Sequence, residues 1–113
     1  MLFICYKNCS NCKAIEKSLI EKNIMFTKRD IKEENPTAAE IKDWHERSKL
    51  DLKKFFNTSG LVYRELNLKE RLKDMTEEEQ YQLLSTDGML VKRPITVTDT
   101  EVLVGPLVKE KYL

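Results

Sequence analysis

"ICYKNCSNCK" (residues 4–13) places Cys5, Cys9 and Cys12 within eight positions of a 113-residue chain. The stretch joins an apolar, β-prone run, "LFICY" (2–6), to a segment of helical period. Cys12, Ile15 and Leu19 recur on one face there, while Glu16, Lys17, Glu21 and Lys22 fill the wet face. Asn23 suits the stop of that helix, because asparagine tolerates positive φ better than most side chains. "IMFTKRDI" (24–31) predicts a second strand, so strand, helix and strand follow within the span of a βαβ unit.

Outward from this start the pattern turns helical. Pro36 ends what precedes it, and Thr37 with Glu40 three residues later forms a capping-box signature. Ile41 and Trp44, with the stem of Arg47, are expected to face inward. A further helical stretch carries Leu50, Leu52, Phe55 and Phe56 and closes at "NTSG" (57–60). Val62, Tyr63, Leu66, Leu68 and Leu72 continue the rhythm. Thr76 and Glu79 repeat the capping box, and Gly88 is read as the stop of that helix. The end changes period. "PITVTDTEVLVG" (94–105) alternates apolar residues about a polar "TDTE" and predicts a hairpin, followed by a short closing helix in "PLVKEKYL".

The expected order is therefore β-α-β, several helices, then β-β-α. No repeat, low-complexity stretch or linker divides it, so residues 1–113 are read as one domain. Apolar residues at 41% and charged residues at 35% fit a globule with a modest core rather than a disordered tail. Lys plus Arg total 20 against 19 Asp plus Glu, and a net charge of +1 provides no field to hold a nucleic-acid backbone or an acidic membrane. "MLFICYKN" lacks an export-signal pattern, and no stretch has the ~20 apolar residues that span a bilayer. A cytoplasmic monomer is expected, and in that reducing compartment clustered cysteines point to redox chemistry or metal rather than to a permanent disulfide.

Zinc would need four ligands, usually a second cysteine pair, whereas this chain has three cysteines and one histidine, His45, in a charged helix. No metal is expected. Thiol chemistry fits better. Cys9 and Cys12 flank the strand-to-helix turn three positions apart, a spacing that makes side chains neighbours on one helix face. A thiol at the first turn meets unsatisfied N–H groups and the positive end of the helix dipole, both of which favour thiolate. Lys7 and Lys13 add cationic charge. Cys9, nearer the helix start, is the better nucleophile, and Cys12 the better resolving thiol. Against this stands the plain alternative that free cysteines are often small buried hydrophobes, the preferred account of Cys5 inside its strand.

"YKNCSNCKAIEKSLIEKNIMFTKRDI" at the front, "FFNTSGLVYRELNLKERL" and "MTEEEQYQLLSTDGML" in the middle, and "LVKRPITVTDTEVLVG" at the back together resemble the ArsC/Spx family. The resemblance spans essentially the whole chain. It implies an α/β thioredoxin-like fold: a four-stranded mixed sheet with an inserted helical subdomain at about residues 37–87. It also implies that Cys9 is the reactive cysteine, and that Arg93-Pro94 opens the third strand through a cis peptide facing it. Arg93 would then stabilise the thiolate or hold an oxyanion or carboxylate, a role suited to the guanidinium fork. Pro94 would shape the groove, and Lys13 would join Arg93 and Pro94 in binding substrate.

Two departures bear on substrate. Arsenate reductases of the family surround the thiol with three arginines, and the matching positions here are Asn57 and Gly105, leaving Arg93 alone. Losing two forked cations weakens an oxyanion site. The Spx regulators share the CxxC and bind the RNA polymerase α subunit, yet they are longer at the C-terminus and have a glycine near the polymerase contact that "HERSKLDLKK" lacks. The expected activity is accordingly thiol–disulfide oxidoreduction of an arsenate-reductase-like kind. No bound cofactor is expected, and the donor would be glutathione, glutaredoxin or thioredoxin. A redox-sensing regulator that binds RNA polymerase α is the alternative.

Overall fold

Leu2–Cys5 form β1, and Phe3, Ile4 and Cys5 are all buried, as befits a central strand covered on both faces. The computed structural model describes residues 1–113. The sheet order is β2-β1-β3-β4. β2 (Thr27–Asp30) runs parallel to β1, with Leu2 opposite Thr27 and Cys5 opposite Asp30. A parallel neighbour requires a crossover, and α1 (Ser10–Glu21) provides it. On the other side, β3 (Ile95–Val97) pairs antiparallel with β1, Phe3 lying opposite Thr96. β4 (Val102–Val104) closes the hairpin, Ile95 opposite Val104. This is the α/β thioredoxin-like arrangement with a four-stranded mixed sheet.

Side-chain alternation along β1 assigns the two faces. Phe3 and Cys5 point to one layer, where Cys12, Ile15 and Leu19 of α1 meet Val108 and Tyr112 of α6 (Pro106–Tyr112). Ser18 of α1 and Lys22 just after it both donate to the Tyr112 carbonyl, the lysine at 3.0 Å, which fixes the end of α6 against α1. Ile4 points to the opposite layer, a larger core containing Trp44, Phe55, Phe56, Tyr63 and Tyr81.

The helices between β2 and β3 build that larger layer. They are α2 (Ala38–Ser48), α3 (Leu61–Glu65), α4 (Leu68–Arg71) and α5 (Glu77–Leu84), with short 3₁₀ turns at Leu52–Phe55, Leu72–Asp74 and Gly88–Leu90. Both capping boxes form: the Thr37 hydroxyl accepts from Glu40 N and the Thr76 hydroxyl from Glu79 N, and each glutamate accepts from the backbone N–H of its threonine in return. Glu40 also takes a two-pronged ion pair from Arg29 of β2, at 2.7 and 2.9 Å, so the start of α2 is tied to the sheet edge.

Three local expectations change. β2 is shorter than its apolar run suggested. Residues 24–26 stay outside the ladder, although the Phe26 ring packs edge-on to Phe3 at 5.7 Å. The rhythm over 61–72 divides into two short helices, because Asn67 adopts φ +53° between them. Gly88 does not stop α5, which ends at Leu84; it opens the next 3₁₀ turn. Its role is close approach: a Cβ there would sit 1.8 Å from the Ile31 carbonyl oxygen, so only glycine lets this turn lie against the end of β2.

Candidate active site

The site begins where β1 ends. Cys9 N donates to the Tyr6 carbonyl at 3.0 Å, closing a turn over Lys7 and Asn8, and Cys9 O accepts from Lys13 N at 3.1 Å, starting the helix. Cys9 is therefore the N-cap of α1, with extended φ −96° and ψ 117°. Its side chain caps nothing, and the first turn of α1 contains no acidic residue. The amides at this helix start are thus left without an anionic side chain of their own, and they face the half-buried Cys9.

Cys12 sits one turn further in, 2% exposed, in the small core that also contains Cys5, at 2%. Cys9 packs against the edge of that core. Cys12 and Cys5 therefore lie in one buried core with Cys9 packed at its edge. Because Cys12 donates to Cys5, and because it is buried, its own thiol is pushed far above the ordinary cysteine range. The same hydrogen bond draws Cys5 downward, against the opposing effect of its burial and with help from the Lys28 ammonium. No disulfide joins any of the three cysteines.

Arg93 reaches this turn indirectly. Its guanidinium lies 5.4 Å from the centre of the Tyr6 ring and donates to the Val91 carbonyl at 3.0 Å. The Arg93–Pro94 peptide bond is cis, as the family resemblance implied. Pro94 is buried, and its carbonyl accepts from Gly105 N at 2.8 Å. Lys13 is exposed on α1, while Lys7 turns toward Glu33, 3.8 Å away on the surface. Cys9, Cys12 and Lys13 thus belong to the start of α1, while Arg93, just before β3, reaches Tyr6 at the end of β1.

The two positions where arginines were missing now have a physical description. Gly105 adopts φ +60°, and a Cβ on it would press on the Lys92 stem at 3.2 Å, so a long side chain there would be strained. At Asn57 the main-chain N–H donates to the Leu90 carbonyl at 2.8 Å, a bond that does not depend on the side chain. Near both lies a groove floored by Phe56 and Pro106 and edged by Lys53, Lys54 and Lys92, with Asp51 among them. Its cations are ammonium points rather than guanidinium forks.

His45, read from the sequence only as the one histidine in a charged helix, lies in α2. Its side chain is only 14% exposed; Nδ1 lies 2.6 Å from the Tyr81 hydroxyl and Nε2 3.9 Å from Glu77. These partners lie more than thirty positions away in sequence, which is why its surroundings gave no sign of them. The histidine belongs to the helical layer, across the sheet from the thiols, so a Cys₃His set is not assembled, and no group of three or more His, Cys, Asp or Glu is placed to hold a metal. The involvement of Cys5 was also missed. Strand parity could have revealed it, since Cys5 and the Cys12 face of α1 must share a layer.

Known proteins share this sequence pattern and fold. The sequence model of the ArsC family matches residues 5–110. A protein of Bacillus subtilis called YusI, itself uncharacterized, is 49% identical over 93% of this chain and 89% of its own length. The regulatory protein MgsR of the same organism is 27% identical over 93% of this chain and 82% of its own. Among solved structures, an ArsC family related protein from Bacteroides fragilis superposes with a TM-score of 0.90 and 54% identity, covering 99% of this chain and 96% of that one.

Proposed function

Because the chain belongs to the ArsC family, we propose that it is a thiol–disulfide oxidoreductase with Cys9 as nucleophile and Cys12 as resolving thiol. The Cys9 thiolate attacks one sulfur of a disulfide substrate, forming a mixed disulfide and releasing one substrate thiolate. Cys12 then loses its proton and attacks the Cys9 sulfur, forming Cys9–Cys12 and releasing the second thiolate. The substrate gains two electrons and the protein pair loses two. A thiol donor, glutathione or the dithiol of glutaredoxin or thioredoxin, returns the pair to its reduced form. The observation that carries this reading is Cys9 at the uncapped start of α1, packed against the core in which Cys12 lies one turn behind it.

Arg93, held against Tyr6, would orient an anionic part of the substrate, with Pro94 shaping the adjoining wall and Lys13 adding charge. An arsenate-like oxyanion is the less favoured substrate. Gly105 leaves no room for a forked cation without strain, and the lysines of the neighbouring groove cannot bind an oxyanion two-pronged. No helix is long and apolar enough to cross a membrane. A cytoplasmic setting, where the thiol donors reside, completes the proposal.

The likeness to the regulatory protein MgsR supports a second reading, in which oxidation of Cys9 and Cys12 alters binding to the RNA polymerase α subunit. A coupled assay separates the two. Reduction of a small disulfide by glutathione or thioredoxin in the presence of the protein, abolished in Cys9→Ser, is the expected result. Absence of turnover, with capture of polymerase α by one redox form only, would replace the first reading with the second.

A further inference from the structure

We infer that Cys5 is a third working thiol: once Cys9–Cys12 has formed, Cys5 exchanges into it, producing a buried Cys5–Cys12 disulfide and returning Cys9 as a free thiol. The inference rests on the oxidoreductase reading and extends it. Cys5 is the last residue of β1 and shares its face with Phe3, the face against which α1 packs. Cys12 looks back from the first turns of α1 into the same small core, and Cys9 lies at the edge of that core. Cys12 thus shares its small core with Cys5 on the inner side, and Cys9 packs at the outer edge of that core. A valine or alanine would fill the Cys5 position as well as a volume requirement asks; neither would put a sulfur beside the resolving cysteine.

The exchange balances without any added oxidant or reductant. The Cys5 sulfur attacks the Cys12 sulfur, the Cys5–Cys12 bond forms and the Cys9–Cys12 bond breaks. Cys9 departs as thiolate among the unsatisfied amides of the helix start, and the proton given up by Cys5 passes to Cys9 or to water. The protein stays oxidised by two electrons throughout. What changes is where the disulfide lies. In the inner form it is sealed from solvent, since Cys5 and Cys12 are each 2% exposed, while the half-buried Cys9 is free to attack again. One chain can then hold a disulfide and a substrate-derived mixed disulfide together.

The sequence offers a clean readout. Trypsin cuts after Lys7 and Lys13, so Cys5 leaves on peptide 1–7 while Cys9 and Cys12 share peptide 8–13. The full-length protein is oxidised with glutathione disulfide, labelled natively with one alkylating agent, unfolded in acid, labelled with a second and digested. The expected result is a population in which peptide 1–7 is linked to Cys12 and Cys9 carries the native label, with loss of that species in Cys5→Ala and Cys5→Val. An internal loop in peptide 8–13 as the sole disulfide, with Cys5 modified only after unfolding, would overturn the inference and leave the oxidoreductase reading standing. Three alkylated cysteines and no disulfide would overturn both. The wild-type peptide map decides the matter even if both Cys5 variants fold poorly.

Discussion

The two faces of β1 are built from different materials. Ile4 looks into a sixteen-residue core rich in aromatic rings, while Phe3 and Cys5 look into a seven-residue core in which two of the members are cysteines. The first layer rests on non-local packing of helices too short to be stable alone, so its rings must supply much of the folding energy. The second is small and sulfur-rich, and it opens at its edge on Cys9. The lesson is a division of labour across a single strand: bulk on one side, reactive groups on the other, with β1 transmitting position between them.

The largest expected effect strikes the thiol side alone. Cys9→Ser should lower disulfide turnover by ~10³-fold or more in the coupled assay. Because the residue is half-exposed, unfolding in urea should shift by less than about 0.5 kcal/mol. A large loss of stability would mean that this side also carries the fold.

The converse substitution is Phe55→Ala. Phe55 is fully buried in the aromatic core, and its truncation should cost about 3–5 kcal/mol in urea unfolding. The rate at which iodoacetamide alkylates Cys9 in the folded variant should match the native protein. A parallel change in alkylation would show the faces to be coupled rather than divided.

A third test addresses the tie between sheet edge and helical layer. The Arg29 guanidinium holds the Glu40 carboxyl down at about 2, below its ordinary value of 4.5. The stabilisation is therefore present above that ordinary range and is lost as pH falls through the native value near 2. Glu40→Gln should cost about 2 kcal/mol at neutral pH, an allowance already reduced for the partial exposure of the pair. The difference from the native protein should shrink as pH falls below 4.5 and vanish near 2 in an acid-unfolding series. Smallest of all, Thr76→Ala removes one cap and should cost about 1 kcal/mol, with no change at Cys9.

Much of this layout was legible in the chain because it depends on local chemistry. Thr37 and Thr76 announce their helices three residues ahead through Glu40 and Glu79, and the final hairpin shows in the alternation of Ile95, Val97, Val102 and Val104. Cys9 at a strand-to-helix turn is likewise a local pattern. What escaped depends on chain segments meeting at a distance. Gly88 was taken for a helix stop because nothing nearby in sequence shows that the Ile31 carbonyl will press against it. His45 meets Tyr81 only after α2 and α5 dock. Cys5 fits the pattern of a core residue and is one, but its thiol partner emerges only when α1 folds back over β1. The positive φ of Lys49 and Asn67 left no mark on the apolar periodicity either.

The central claim is that Cys9 and Cys12 form a reversible pair, and a glutathione redox series read by alkylation and mass spectrometry tests it most directly. The account predicts that the Cys12 label disappears from peptide 8–13 as the buffer becomes more oxidising, together with that of Cys9 in the outer disulfide or that of Cys5 in the inner one, and returns on reduction, with Cys9→Ser losing that response. Retention of both labels at every poise, or oxidation that stops at a glutathione adduct on Cys9 while Cys12 stays labelled, would contradict it.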